Sequence, residues 1–154
     1  MDHVEIMTLG PGDIALMRGL NAMFAEAFED PQSYGGAPPD DAYLAELLAQ
    51  PHVIALAAVV GGRVVGGITA YELPKLEQAR KEVYLYDLAV AEDYRRMRVA
   101  TALIRRLQRI AADRGAWVVF VQADHGDDPA IALYSKLGVR EEVLHFDLPV
   151  PGDG

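Results

Sequence analysis

The chain contains no cysteine among its 154 residues. Disulfide bonds, thiolate metal ligands and an acyl-cysteine intermediate are therefore excluded within it. The four histidines show no spacing typical of metal ligands, so no metal site is expected. Long apolar runs are also missing, since none approaches the ~20 residues that cross a bilayer, and Met1-Asp2-His3 does not begin a signal peptide. A cytoplasmic location is the resulting expectation.

Positive charge is scarce as well. The 14 lysines and arginines are outnumbered by 23 aspartates and glutamates, which gives a formal net charge of −9. A negative field repels nucleic acid and draws cations toward acidic clefts, so nucleic acid is not expected as a partner. The missing apolar runs likewise give no reason to expect a membrane as a partner. Charge of this size can also serve solubility alone, and the charge by itself favours neither explanation.

Hydrophobic patterning predicts strands that alternate with helices in one domain covering residues 1–154. Apolar runs bounded by turn residues predict strands at 4–9, 53–60, 63–71, 83–90, 117–121 and 143–148. Helical spacing predicts helices from position 14 to 28, around 41–48, from 99 to just before Gly115, and over 129–137 with Asp128 as N-cap. Residues 31–39 are too rich in glycine and proline for regular structure. This order implies an α/β fold with a mixed sheet covered on both faces.

The organising stretch of the chain is the strand Val83–Val90 and the basic turn that follows it. Arg95-Arg96-Met97-Arg98-Val99-Ala100 opens the long helix, whose apolar side chains recur at helical spacing. A strand that runs through a tight turn into a helix N-terminus leaves backbone N–H groups unpaired at the positive end of the helix dipole. The turn is therefore a candidate phosphate cradle. It has neither the Lys-Ser/Thr pair of a P-loop nor the three glycines of a dinucleotide-binding turn.

At these residues the chain resembles the GNAT superfamily of acyl-CoA-dependent N-acetyltransferases. The pyrophosphate loop of that family reads Arg/Gln-x-x-Gly-x-Gly/Ala, and Arg98 stands here at the first glycine position. The resemblance implies the GNAT fold, with a central mixed, mostly antiparallel sheet flanked by helices. It also implies acetyl-CoA as co-substrate, with no metal.

Further stretches look like the class I aminoglycoside 3-N-acetyltransferases, the gentamicin-modifying members of the superfamily. They cover residues 53–58, 70–78, 84–90, 122–129 and 141–147. The acidic loop at 122–129 and the Pro74-Lys75-Leu76-Glu77 loop are the specific part of this match, and His125 stands where that family would have tyrosine. The resemblance implies acetylation of the 3-amino group of a 2-deoxystreptamine ring, a role in antibiotic resistance, and a homodimer.

Two residues are candidates for the proton transfers. Alternation places Asp87 on one strand face with Leu85 and Ala89. A carboxylate among apolar and aromatic neighbours suits the base that takes a proton from the amine. The residues alone favour an ordinary hydrogen-bonded aspartate, whereas the resemblance favours the base. Tyr134 matches the position where GNAT enzymes have a tyrosine near the CoA sulfur, which implies that it protonates the departing thiolate; ordinary helix packing is the alternative.

The resemblance also implies the residues that contact the two substrates. The cofactor contacts are the strand end and loop residues Leu88, Ala89, Val90, Arg95, Arg96, Met97, Arg98, Val99, Ala100 and Thr101, together with Tyr134. The aminoglycoside contacts are the acidic residues Asp87, Asp124, Asp127, Asp128, Glu77 and Glu142, since carboxylates form charge-assisted hydrogen bonds with ammonium groups.

Other functions compete with this interpretation. A GNAT enzyme that acetylates a different small amine is the nearest alternative, and an acyl-CoA-binding module without catalysis is the next. A nucleic-acid-binding module is the least favoured, because the arginine turn is an isolated basic feature of an acidic chain.

Overall fold

A computed structural model describes residues 3–152 of the chain. Its elements are β1 (Glu5–Thr8), α1 (Ile14–Ala27), α2 (Pro31–Gly35), α3 (Asp41–Leu48), β2 (Val53–Val60), β3 (Arg63–Pro74), β4 (Lys81–Val90), a 3-10 turn (Glu92–Tyr94), α4 (Val99–Asp113), β5 (Ala116–Val121) and α5 (Asp128–Leu137). The chain divides into two compact units, Met1–Gln122 and Ala123–Gly154, and the single domain stays a prediction. Within 3–152, no helix has the length and apolar character of a membrane span.

The first unit is built on a sheet in the order β1-β2-β3-β4-β5. Neighbouring strands are antiparallel except β4 and β5, which are parallel and are joined through α4. This arrangement confirms the predicted mixed, mostly antiparallel sheet. The hairpin between β2 and β3 turns at Gly61 and Gly62, both at positive φ, which glycine adopts without steric cost.

Helices cover both faces of the sheet, as the sequence predicted. On one face α1 and α3 pack in a buried apolar cluster that includes Leu20 and Phe24. On the other face α4 buries Leu103 and Leu107, which are fully inaccessible to solvent. The α1 face approaches β3 so closely that a Cβ on Gly67 would lie 2.6 Å from the Leu56 carbonyl oxygen and against the Leu20 side chain. A glycine is therefore needed there by close approach, beside the bulge in the β2–β3 pairing.

The segment at 31–39 was predicted to be irregular, and this is wrong for its first half. The short helix α2 spans Pro31–Gly35 because Asp30 caps it, accepting a hydrogen bond from the Ser33 backbone N–H at 3.1 Å. Proline at the first helical position fits, since its missing N–H would be unpaired there in any helix. The breakers thus start a helical turn that carries Tyr34.

The predicted final strand at 143–148 is also wrong. Residues 139–152 form neither helix nor strand, and their apolar side chains, Val143, Leu144, Phe146 and Leu148 among them, are exposed. Alternating apolar residues form a strand only when a neighbouring strand pairs with them, and no such pairing occurs for this segment.

Candidate active site

The middle of β4 carries an irregularity that decides where Asp87 points. Thr69 of β3 pairs with Asp87 but Ala70 pairs with Leu85, so Tyr86 is an extra residue in β4. A bulge of this kind interrupts the alternation of side chains. Asp87 therefore lies on the α1–α2 face of the sheet with Thr69, whereas Leu85 is buried. The prediction that Leu85 and Asp87 share a face is wrong, because it assumed an unbroken alternation.

Two hydroxyl groups hold the Asp87 carboxylate in place. The Tyr34 hydroxyl donates to Oδ1 at 2.7 Å, and the Thr69 hydroxyl donates to Oδ2 at 2.8 Å. Burial and then the hydrogen bond to Asp87 raise the pKa of Tyr34 well above its usual range, so the phenol keeps its proton and remains the donor. Each carboxylate oxygen has further lone-pair capacity, and the partly exposed Asp87 can accept another hydrogen bond or a proton.

Tyr34 and Thr69 contact the candidate base, and the sequence did not identify them. Neither lies near Asp87 along the chain, since they are 53 and 18 residues away. The only signal for Tyr34 was its place in a breaker-rich segment, of the kind that often lines a site. Thr69 had no signal, because its contact with Asp87 depends on the bulge.

The end of β4 has one open side. β4 pairs with β3 from Lys81 to Val90, but its pairing with β5 ends at Leu85. From Tyr86 onward, no strand within residues 3–152 therefore pairs with the β5 side of β4. Because Leu88, Ala89 and Val90 lie in this stretch, their outward main-chain groups are placed to bond to an extended ligand lying along the strand.

The predicted phosphate cradle directly follows this open strand end. After the 3-10 turn, residues 95–98 form a turn and Val99 begins α4. The Arg95 side chain bends back, donating from Nε to the Val90 carbonyl oxygen at 3.1 Å, and thereby joins the turn to the strand end. The turn is exposed apart from the buried Val99, and the first N–H groups of the helix have no intrahelical partner. The local geometry fits an anion at the start of α4.

Arg98, at the glycine position of the loop, is the N-cap of α4 and has a left-handed backbone, with φ 61° and ψ 20°. Arg96 is also left-handed, with φ 68°. For a residue with a side chain this conformation costs about 1–2 kcal/mol. The backbone thus takes the conformation that a glycine favours, although Arg98 carries a side chain, which is exposed.

A cavity of about 370 Å³ lies beside the turn on the α1 side, lined by Met23, Glu26, Ala27, Arg63, Ala91, Glu92, Asp93 and Arg95. Arg63 closes one side through two hydrogen bonds to Asp93, at 2.8 and 3.2 Å. These bonds lower the pKa of the exposed Asp93 carboxyl and raise the pKa of Arg63. Asp87 does not line this cavity. Among the charged residues that do, Arg63 and Asp93 are already paired with each other.

Glu77, a predicted substrate contact, lies in the loop between β3 and β4 and is exposed. Its carboxylate is 3.7 Å from the Arg80 guanidinium and 4.0 Å from the Lys75 ammonium group. Lys75 also lies 3.8 Å from Glu82. Glu77 is therefore part of an exposed ion-pair group, and such pairs are weak enough to exchange partners.

The second unit carries the other predicted acidic residues. Asp127, not Asp128, is the N-cap of α5: its side chain accepts from the Ala130 N–H at 3.4 Å, and Asp128 is the first helical residue. The predicted cap is off by one because Pro129 tolerates either of the first two helical positions. Asp124 is exposed, and Glu142 is exposed and lies 2.6 Å from Arg140.

Tyr134 lies in the second turn of α5 and is partly buried. Burial, and then the charge of Asp127, raise the pKa of Tyr134 to about 12. The phenol therefore stays protonated at neutral pH and can act as a proton or hydrogen-bond donor. Among residues 3–152, no three acidic or histidine side chains form a group that could hold a metal ion.

Comparisons with known proteins find a matching family and similar solved structures. The model of the acetyltransferase (GNAT) family matches residues 20–139. A crystal structure of HMB0005, an aminoglycoside acetyltransferase from an uncultured soil metagenomic sample, is 55% identical with a TM-score of 0.95, covering 97% of this chain and 99% of that one. A second soil metagenomic aminoglycoside acetyltransferase, meta-AAC0020, in complex with sisomicin, is 29% identical with a TM-score of 0.89, covering 96% and 97%.

Curated relatives match more locally. N-acetyltransferase family 8 member 2 of Rattus norvegicus is 30% identical over 86 residues, which are 56% of this chain and 38% of the rat protein. The N-alpha-acetyltransferase of Sulfurisphaera tokodaii is 30% identical over 106 residues, or 64% of each protein. The chain thus spans well under half the length of its rat relative.

Proposed function

We propose that this chain, which belongs to the acetyltransferase (GNAT) family, transfers the acetyl group of acetyl-CoA to an amine of an aminoglycoside. The acceptor nitrogen in this proposal is the 3-amino group of a 2-deoxystreptamine ring, as in gentamicin. The observation that carries the proposal is a carboxylate held by two hydroxyl groups at the point where β4 loses its β5 partner and leads into the turn before α4. Support for the acceptor comes from the likeness to two aminoglycoside acetyltransferases, one in complex with sisomicin.

The local geometry suits each end of the cofactor. The diphosphate binds the N–H groups at the start of α4, where the helix dipole favours an anion. The pantetheine arm extends along the open side of Leu88, Ala89 and Val90, and a main-chain N–H there polarises the thioester carbonyl. The GNAT family uses acetyl-CoA, and the chemistry requires no metal.

The reaction then needs two proton transfers. The neutral amine attacks the thioester carbonyl carbon, and Asp87 accepts the proton that the nitrogen loses as the C–N bond forms. The C–S bond breaks, and the CoA thiolate takes a proton from Tyr134, whose raised pKa of about 12 keeps it protonated until the thiolate forms. Acidic side chains, Asp124, Asp127, Asp128, Glu77 and Glu142, bind the other ammonium groups of the acceptor.

The test is an acetyl-CoA assay with gentamicin, sisomicin, kanamycin and a polyamine, in which free CoA thiol is measured and the acetylated nitrogen is located. Acetylation at the 3-amino group of gentamicin is the expected result. Turnover of the polyamine alone would make the chain an acetyltransferase of another amine. Absence of thiol release with every amine, despite acetyl-CoA binding, would leave a binding module without catalysis. A cytoplasmic, homodimeric enzyme that confers antibiotic resistance is part of the same proposal.

A further inference from the structure

Tyrosine is concentrated around Asp87. Tyr71 of β3 packs edge-to-face on Tyr86 of β4, with ring centroids 5.9 Å apart and planes at 85°. Tyr86 in turn meets Tyr84 at 5.4 Å. Tyr34 donates its hydroxyl hydrogen bond to Asp87 from the neighbouring helix. Four of the seven tyrosines of the chain are therefore connected to Asp87, Tyr34 by its hydrogen bond and Tyr71 and Tyr84 through ring contacts with the adjacent Tyr86.

The bulge is the reason for this concentration. Because Tyr86 is the extra residue of β4, it stays on the same face as Asp87 rather than on the opposite one. Burial, and then the charge of Asp87, raise the pKa of Tyr71. Burial, then Tyr86, and then the charge of Asp87 raise the pKa of Tyr84. The negative charge of Asp87 is thus felt at these rings.

The outer two rings are open to solvent. Tyr86 is 60% exposed and Tyr71 is 39% exposed. Elsewhere in residues 3–152 the chain places its own cations over aromatic rings: Arg80 lies 4.3 Å from the Trp117 centroid, and Arg63 lies 5.8 Å from the Tyr94 centroid. Within the same residues, no Lys or Arg side chain lies over the ring of Tyr71 or Tyr86.

We propose that Tyr71 and Tyr86 bind an ammonium group of the acceptor by cation–π contact, beside the Asp87 carboxylate. Exposed aromatic rings next to a negative charge attract an organic cation, and partial desolvation of the cation against the rings strengthens the attraction. This inference rests on the proposed function, because it names how the same site recognises its acceptor. The rings select a polycationic amine over a neutral sugar of similar size.

The choice of salt can distinguish binding by the two tyrosines from binding by the acidic residues. A carboxylate–ammonium contact is weakened by any salt through screening. A π-face instead binds a weakly hydrated quaternary ammonium ion in preference to sodium. Tetramethylammonium chloride therefore displaces the acceptor more strongly than sodium chloride at equal ionic strength.

The experiment measures gentamicin binding to the intact protein by calorimetry, without acetyl-CoA. Tyr86→Leu and Tyr71→Leu are each expected to weaken binding by about fivefold or more, whereas Tyr86→Phe and Tyr71→Phe, which keep the ring, stay within about twofold. Tyr94→Leu is the matched control, because Arg63 already occupies that ring, and it is expected to bind as the wild type does. Equal losses in the Phe and Leu variants would show hydroxyl recognition and overturn the proposal.

Displacement on the wild-type protein needs no variant to fold. Stronger displacement by tetramethylammonium chloride than by sodium chloride supports the proposal, and equal displacement overturns it. Failure of the proposed function is separate from this outcome. Ring-dependent gentamicin binding without thiol release would support the cation site and contradict the proposed reaction. Acetylation that is unaffected in the Leu variants would support the reaction and contradict the cation site.

Discussion

At the scale of single residues, the proposed chemistry depends on a carboxylate whose two oxygens each receive a hydroxyl hydrogen bond. Asp87→Asn keeps the size of the side chain and removes its capacity to accept a proton. We expect kcat to fall by ~10² or more while the melting temperature changes little. Steady-state kinetics beside thermal unfolding checks this, and an unchanged kcat would reduce Asp87 to a structural acceptor.

Arg98 is the residue at which backbone and side chain conflict. Its left-handed backbone favours glycine, so Arg98→Gly should be more stable than Arg98→Ala by about 1 kcal/mol. Both variants lose the guanidinium, and only one relieves the conformation, so the pair separates the two effects. Urea unfolding measures the difference. Equal stabilities would mean that the turn relaxes when the side chain changes.

Tyr134 gives the unfolding free energy a dependence on alkaline pH. Its pKa is about 12 in the folded chain and 10.0 ordinarily. Between these values the folded state holds a proton that the unfolded state has lost. The contribution of Tyr134 to the unfolding free energy is therefore fully present below pH 10 and is lost as pH rises toward 12. Chemical unfolding across this range should show a shallower decline in Tyr134→Phe than in the wild type. Identical slopes would contradict the raised pKa.

At the scale of elements, the start of α4 is predicted to bind the cofactor diphosphate through its main-chain N–H groups. Ala100→Pro removes one N–H in the first helical turn, where proline is tolerated, and Ala100→Ser keeps it. Loss of one hydrogen bond to a charged group corresponds to roughly tenfold or more in affinity. We expect the KM for acetyl-CoA to rise by that factor in the proline variant alone. A KM shared by both variants would place the diphosphate elsewhere.

The elements were largely predictable because their signals are local. Hydrophobic runs and turn residues predicted the strands up to β5, and the end of α4 just before Gly115 was predicted as well. A strand at 143–148 was predicted wrongly, because pairing depends on partners that a local pattern does not show. The bulge at Tyr86 was missed for the same reason, and with it the true face of Asp87 and the contacts from Tyr34 and Thr69. Asp87 itself could be proposed from the sequence, since a carboxylate inside an apolar strand is conspicuous.

At the scale of the whole molecule, the formal charge of −9 bears on how the acceptor arrives and binds. An acidic protein attracts a polycation over distances that salt shortens, with a Debye length of about 10 Å at 0.1 M. The KM for gentamicin should therefore rise several-fold between about 0.05 and 0.5 M sodium chloride, with kcat affected less. Parallel assays with a monoamine should show a weaker trend. A gentamicin KM that is independent of salt would leave the charge with a role in solubility only.

In the proposed complex, the N–H groups at the start of α4 bind the diphosphate of a cofactor whose arm follows the open side of β4. Calorimetric titration of the intact protein at two temperatures, with acetyl-CoA and with S-acetylpantetheine, which lacks the diphosphate, tests it most directly. We expect saturable binding of acetyl-CoA to one site, and an affinity for S-acetylpantetheine that is weaker by about 100-fold. Equal affinities for the two compounds, or no binding of acetyl-CoA at either temperature, would contradict it.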